Sequence, residues 1–128
     1  MSPTAKLILI IAAANGGLAV ILGAFGAHGL KGSISDTMLA AWQTGVQYHF
    51  YHTFALLVVA LLFVQGVSSY WLSIASGLFV AGILFFSGSL YGLALGGPRW
   101  LGPITPLGGL MFIFGWGALC VAVLRVKS

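Results

Sequence analysis

The sequence predicts an all-α integral membrane protein, a single domain over residues 1–128 built as a four-transmembrane-helix bundle. Charged residues make up 5% of the chain, whereas soluble domains carry about 25%. Apolar residues make up 60%, and the mean hydropathy is +1.11. Uncharged stretches accommodate four segments of about 20 residues, the length that crosses a bilayer core. This composition excludes a soluble globular enzyme, a disordered tail and a nucleic-acid-binding module.

The first predicted span covers residues 7–27, an uncharged stretch bracketed by Lys6 and Lys31. Ser2 and Pro3 precede it, and Ser at the N-cap with Pro at the first helical position is a typical helix start. The apolar run is longer than the roughly 7–15 residues of a signal-peptide core, and a single Lys precedes it. We therefore expect the first span to be retained in the mature protein.

A short interfacial helix is predicted between spans one and two, over residues 33–45. Ser33 and Asp36 have the spacing of a capping box, with Asp in place of the usual Glu. Trp42 would then lie at the level of the lipid headgroups. This helix either ends before span two, predicted over residues 45–64, or runs directly into it.

Two further spans follow from the pattern of breaks in the second half of the chain. The long uncharged run beyond the interfacial helix exceeds the thickness of any bilayer, and the Gly- and Ser-containing segment 65–69 divides it. Span three is predicted over residues 70–95. Thr105 and Pro106 repeat the pattern of cap and proline, so span four is predicted over residues 106–124.

The basic residues favour an orientation with both termini in the cytoplasm. Four spans place the termini on one side, which carries Lys6, Arg125 and Lys127. The other side carries Lys31 and Arg99, so three basic residues oppose two. Because every charged side chain lies outside the spans, no charged relay crosses the membrane.

Small residues recur at a spacing of four in two of the spans. Gly88, Gly92 and Gly96 form such a row on span three, and Gly23 lies between two alanines in a row on span one. In lipid, helices associate by close van der Waals contact, which small residues permit. These rows are predicted to pack the bundle internally; the alternative is an outward face that forms a homo-oligomer or docks a larger membrane complex.

Neutral polar side chains inside the spans are the candidates for a site. Tyr48, His49 and His52 share one face of span two, and His28 ends span one on the same side of the membrane. These four residues are the candidate ligand-binding set, and His28 and His52 are the candidate metal ligands. The remaining polar residues within the spans are Asn15, Ser87, Ser89 and Tyr91.

Several interpretations of the histidine cluster are open. It could hold a metal ion, ligate a haem, or serve as a proton-relay or quinone-headgroup site. Alternatively, neutral His and Tyr can hydrogen-bond between helices and so satisfy groups that lipid would leave unpaired. The sequence favours this structural interpretation, because a two-His spacing without an acidic partner is a weak metal signal. The chain has one acidic side chain, outside the spans, so paired-carboxylate catalysis is excluded.

Four ordered motifs resemble a known family. They are Gly23–Leu30 at the end of span one, Trp42–Gly45 with Tyr48 and His52, Phe86–Tyr91 in span three, and Thr105–Gly109. In this order they resemble the YgdD-like family of small bacterial inner-membrane proteins, a domain of unknown function with a small transmembrane relative in animal mitochondria.

The resemblance implies four spans, an uncleaved first span, cytoplasmic termini and a multi-pass protein of the bacterial inner (plasma) membrane. It supplies no activity. The family pattern matches at His28, Tyr48 and His52, whereas relatives can carry Gln at the position of His49. Because Gln is a poor ligand for transition metals, this departure weakens a site of three histidines and leaves His28 and His52 as the better pair.

We therefore expect a non-enzymatic accessory protein that binds membrane lipid or a larger membrane complex. No nucleic acid and no cofactor are predicted as partners. The alternative is a cofactor, metal or small-solute transport site at His28 and His52, in the outer half of the membrane. The sequence does not decide whether the protein is an enzyme, but it favours that it is not.

Overall fold

The computed structural model describes residues 1–127, which are almost entirely helical. The helices are α1 (Pro3–Phe25), α2 (Asp36–Val64), α3 (Tyr70–Gly82), α4 (Gly88–Ala94) and α5 (Leu101–Leu124). A π-helical turn over Gly26–Leu30 extends α1, and a second over Ile83–Ser87 joins α3 to α4. The resulting segments include four that are long and apolar enough to cross a membrane, which confirms the predicted four-helix bundle.

Serine caps and glycines mark the helix ends. Ser2 Oγ accepts the N–H of the residue three positions on at 3.2 Å, and Pro3 opens α1, as predicted. Ser69 caps α3 in the same way, at 3.1 Å. Gly66 and Gly96 follow α2 and α4 with φ of 88° and 86°, the left-handed conformation that glycine adopts at helix C-termini.

The predicted interfacial helix is the first part of α2, which runs without interruption from Asp36 to Val64. Ser33 does not cap it, because its hydroxyl donates to the carbonyl oxygen of Gly29 at 3.2 Å. Ser35 is the N-cap instead. Trp42 lies within this helix and is 2% exposed, so its ring packs inside the bundle.

Helix α5 begins at Leu101 rather than at Pro106, so the predicted start is wrong by more than one turn. Pro103 is the third helical residue, where no intrahelical donor is needed. Pro106 lies inside the helix and removes one backbone hydrogen bond. Thr105 Oγ1 is 2.5 Å from Ser89 Oγ, so the predicted capping residue instead joins α5 to α4.

The helices pack in the order in which they occur in the chain. Helix α1 packs on α2, α2 packs on the α3–α4 segment, and that segment packs on α5. The largest buried cluster is centred on Leu56, Val59, Phe79 and Phe112, and α1 contributes Ile8 and Ala12 to it. Helix α1 is therefore an edge helix whose outer surface is left to lipid.

The four predicted packing glycines have different surroundings. A Cβ at Gly92 would lie 2.7 Å from the Leu101 side chain, and one at Gly23 would lie 3.3 Å from that of Val46. These two therefore mark close helix contacts. Gly88 has no neighbour nearer than a backbone oxygen at 4.0 Å, and Gly96 terminates α4.

The tightest contact is made by Gly108 on α5. A Cβ there would collide with the backbone N and Cα of Phe86, in the second π-helical turn. Gly45 and Gly115 similarly leave room for the rings of Tyr91 and Phe79. The helices thus approach closely mainly where an aromatic side chain packs against a glycine, and not along one continuous row of small residues.

Candidate functional site

His49 lies at the centre of a hydrogen-bonded network that joins three helices. Its Nε2 is 2.8 Å from Asn15 Oδ1 on α1, and its Nδ1 is 3.0 Å from the Tyr91 hydroxyl on α4. The Asn15 amide nitrogen donates to the carbonyl oxygen of Ile11, which assigns Oδ1 as an acceptor. His49 therefore carries its proton on Nε2 and accepts the Tyr91 hydroxyl proton at Nδ1.

His52 has the opposite tautomer. Its Nδ1 is 2.8 Å from the backbone carbonyl oxygen of Tyr48, which can only accept a proton. Its Nε2 is 3.0 Å from the indole nitrogen of Trp116, which can only donate one. The imidazole also stacks on the ring of Phe112, with centroids 3.5 Å apart and an interplanar angle of 5°. His52 is thus neutral, protonated on Nδ1 and enclosed by aromatic side chains.

This pairing leaves neither buried imidazole with a free lone pair for a metal ion. A histidine binds a metal through an unprotonated ring nitrogen. In His49 that nitrogen accepts from Tyr91, and in His52 it accepts from Trp116. Both hydrogen bonds would have to break before either residue could become a ligand.

His28 does not join His52. It is exposed in the π-helical turn that extends α1, and Gly26 in that turn lies against Trp42. His52 is ten positions further along α2, about 15 Å at 1.5 Å per residue. Within residues 1–127, no three His, Cys, Asp or Glu side chains are grouped so that they could hold a metal ion.

The other polar residues predicted within the spans have protein partners. Ser87 Oγ donates to the carbonyl oxygen of Gly45 at 2.7 Å, and Ser89 Oγ lies 2.9 Å from that of Phe86. Such pairing is required in lipid, where no water can replace a missing partner. The indole nitrogen of Trp42 adds a bond between helices, donating to Leu22 O at 2.8 Å.

An open groove of about 490 Å³ lies between α2 and α5, beside His52. We call it the aromatic groove. It is lined by Tyr48, Tyr51, His52, Phe86, Gly109, Phe112, Ile113 and Trp116. The second π-helical turn supplies Phe86, and such turns occur frequently at functional sites.

Sequence reasoning identified Tyr48 and His52 but missed the α5 side of this groove. Phe112 and Trp116 are four residues apart, as are Tyr48 and His52, so each pair occupies one helical face. That spacing was the available signal. It does not reveal that the two faces meet, because this depends on how α2 and α5 are rotated about their axes.

A family model described as "Protein of unknown function (DUF423)" matches residues 22–109, more than half of the chain. The chain belongs to this family. The match confirms the expected resemblance to small membrane proteins with a domain of unknown function. No solved structure matches this DUF423 chain.

Curated relatives of the DUF423 chain are named as membrane proteins. The UPF0382 membrane protein YwdK of Bacillus subtilis is 50% identical over 122 residues, which cover 94% of this chain and 98% of the relative. A UPF0382 membrane protein of Staphylococcus aureus is 47% identical, with 94% and 97% covered. One from Staphylococcus saprophyticus is 40% identical, with 94% and 99% covered. Together with the four apolar helices, these names show a membrane-embedded protein of a family without an assigned activity.

The tautomers of this DUF423 protein can be tested by ¹⁵N NMR of labelled histidine in lipid bilayers. We expect His49 to be protonated on Nε2 and His52 on Nδ1. In Trp116→Phe, which removes the indole donor, the Nε2 signal of His52 should move while the signals of His49 stay in place. Added Zn²⁺ should affect the exposed His28 alone. Identical tautomers in the two residues, or a Zn²⁺ shift at His52, would contradict the assignment.

Proposed function

We propose that this protein is a non-enzymatic membrane bundle that binds the acyl chain of a membrane lipid in the aromatic groove. One observation carries the proposal: both ring nitrogens of His52 are already paired, while the open groove of about 490 Å³ beside it has largely aromatic walls. Ligand sites have this character, with apolar walls and a few polar groups that fix orientation.

The side chains that line the aromatic groove favour a hydrocarbon ligand. His52 presents no free hydrogen-bonding atom, because Tyr48 O and Trp116 occupy its two ring nitrogens. The stacked ring of Phe112 and the ring of Phe86 complete the apolar surface. An acyl chain can fill such a surface by dispersion contacts, without leaving a buried polar group unpaired.

Two tyrosine hydroxyl groups can orient the lipid. Tyr48 and Tyr51 line the groove and are 37% and 49% exposed. Within residues 1–127 neither phenol hydroxyl has a hydrogen-bond partner, unlike that of Tyr91. Phenol hydroxyls at the rim of the groove can donate to the ester carbonyls at the head of an acyl chain.

The proposal includes an orientation. We place the bundle in the bacterial inner membrane with both termini in the cytoplasm, on the basis of Lys6, Arg125 and Lys127. The aromatic groove then belongs to the outer half of the membrane, because Tyr48 and His52 lie in the first half of the predicted span over residues 45–64. The cofactor and transport alternative has no comparable support, because His28 and His52 do not share a site.

A matched pair of glycine substitutions on α5 tests the proposal. Gly109 lines the groove, and a Cβ there would meet Phe86 only at an ordinary 3.8 Å, so Gly109→Leu should fold and fill the groove. Gly117 lies outside the groove with nothing within 4 Å, so Gly117→Leu makes the same chemical change elsewhere. Both proteins would be purified in mild detergent and their bound phospholipid measured by native mass spectrometry.

We expect the unchanged protein and Gly117→Leu to retain one lipid, and Gly109→Leu to lose most of it. Equal retention by all three proteins would refute binding in the groove. The appearance of a stoichiometric protein partner in place of lipid, lost in Gly109→Leu, would replace lipid binding by docking to a second copy or a larger complex.

A further inference from the structure

A second concave site lies at the end of the bundle where α1 begins and α5 ends. It is a cleft of about 630 Å³ between the loop that joins α2 to α3 and the end of α5. We call it the basic cleft. It is lined by residues 65–71 and by Ala122, Arg125, Val126 and Lys127. None of these residues lines the aromatic groove, so the two sites are separate.

Two of the five basic side chains of the protein line this cleft. The Arg125 guanidinium carbon lies 5.8 Å from the ring centroid of Trp71, which holds the cation against one wall. Lys127 lines the same space. The only acidic side chain of the whole sequence, Asp36, begins α2 at the opposite end of the bundle. No acidic side chain can therefore neutralise Arg125 or Lys127.

Hydroxyl and backbone groups add donors to the same cleft. Ser69 Oγ accepts the N–H of Trp71 at 3.1 Å, which leaves the hydroxyl proton of Ser69 available to a ligand. Ser68 contributes a second hydroxyl to the lining. The N-terminus of the 13-residue helix α3 adds a favourable dipole for negative charge, although it would not form a site by itself.

The position of the cleft matches the depth expected for the lipid headgroups. It sits where two membrane-spanning helices end and a third begins. Tyr70, 78% exposed, and Trp71 adjoin it, and Tyr and Trp concentrate at membrane–water interfaces. A lipid phosphate could therefore reach the cleft while the lipid stays at its normal depth in the bilayer. Basic pockets between transmembrane helices are suited to anionic headgroups.

We propose that the basic cleft binds the phosphate of an anionic phospholipid headgroup, with Arg125 and Lys127 as its counter-charges and the hydroxyls of Ser68 and Ser69 as donors. A guanidinium and an ammonium attract a phosphodiester that has no cation of its own. They repel the choline of a zwitterionic lipid. The cleft should therefore discriminate by headgroup charge, whereas the aromatic groove contacts the acyl chain.

The test is native mass spectrometry of the full-length protein in detergent with an equimolar mixture of phosphatidylglycerol and phosphatidylcholine. The ratio of the two lipid adducts is measured for the unchanged protein, Arg125→Gln, Lys127→Gln and the double variant. Lys6→Gln is the matched control, because it removes one positive charge on the same side of the membrane but outside the cleft. Thermal unfolding of each variant verifies that it is folded.

We expect the unchanged protein to favour phosphatidylglycerol. Each single substitution should lower that preference about five-fold, and the double substitution about 25-fold, since one basic residue near an anionic lipid contributes about 1 kcal/mol. Lys6→Gln should keep the original preference. Adding an excess of inorganic phosphate should not displace the lipid.

Three results would overturn the proposal. They are equal adducts of the two lipids in the unchanged protein, an equal effect of Lys6→Gln and Arg125→Gln, and displacement of the lipid by inorganic phosphate, which would assign the cleft to the free anion. Gly109→Leu distinguishes this proposal from lipid binding in the aromatic groove. Its headgroup preference at the basic cleft should be unchanged, whether or not the substitution removes the lipid from the groove.

Discussion

Replacing Gly108 with alanine should destabilise the bundle, although alanine is the better helix former. The added Cβ would collide with the backbone N and Cα of Phe86 rather than with a side chain that could rotate away. Overpacking of this kind typically costs about 1–3 kcal/mol. We expect Gly108→Ala to unfold at a correspondingly lower denaturant concentration in mixed micelles, as followed by circular dichroism.

The neighbouring glycine provides the control. Gly109→Ala makes the same chemical change one position along α5, where the new Cβ would meet the Phe86 ring at an ordinary 3.8 Å. Both variants gain the same helix propensity, roughly 1 kcal/mol relative to glycine. The difference between them therefore isolates the clash with the π-helical turn. Equal stability of the two variants would show that α5 and this turn are not in close contact.

His49→Leu should also destabilise the protein, by about 1–3 kcal/mol. The change removes two hydrogen bonds and leaves Asn15 and Tyr91 without their partner in a region that water does not reach. His49→Gln should lose less, because an amide also offers both a donor and an acceptor. Unfolding in mixed micelles measures both effects.

His28→Leu is the matched control for this pair. His28 is exposed and has no hydrogen bond within residues 1–127, so its replacement should change the free energy of unfolding by less than about 0.5 kcal/mol. A loss in His28→Leu as large as that in His49→Leu would contradict the network. So would a His49→Gln variant that is no more stable than His49→Leu.

The spans could be predicted because bilayer thickness and hydropathy determine them with little reference to packing. The start of α1 at Ser2 and Pro3 and the break at residues 65–69 are confirmed. The start of α5 could not be predicted in the same way. Thr105 and Pro106 carry the local start signal, whereas Trp100, which precedes Leu101, makes no capping hydrogen bond; Thr105 instead contacts Ser89, 16 positions earlier in the chain.

Less of the candidate site could be predicted from the sequence. His49, His52, Asn15 and Tyr91 could each be identified as polar residues within spans. Their pairing could not be predicted, because it depends on the rotation of each helix about its axis. The role of Gly108 was hidden for a related reason. It packs against a π-helical turn, and that turn has no recognisable pattern in the sequence.

The order of helix packing has a consequence for biosynthesis. Consecutive transmembrane segments are neighbours in the bundle: α1 packs mainly on α2, the α3–α4 segment packs on both α2 and α5, and α5 packs on that segment. As the chain leaves the ribosome, α1 can thus pair as soon as α2 enters the bilayer, and each later segment finds one of its neighbours already in place. The assembly needs no long search between distant segments, since its contacts are formed in the order of translation.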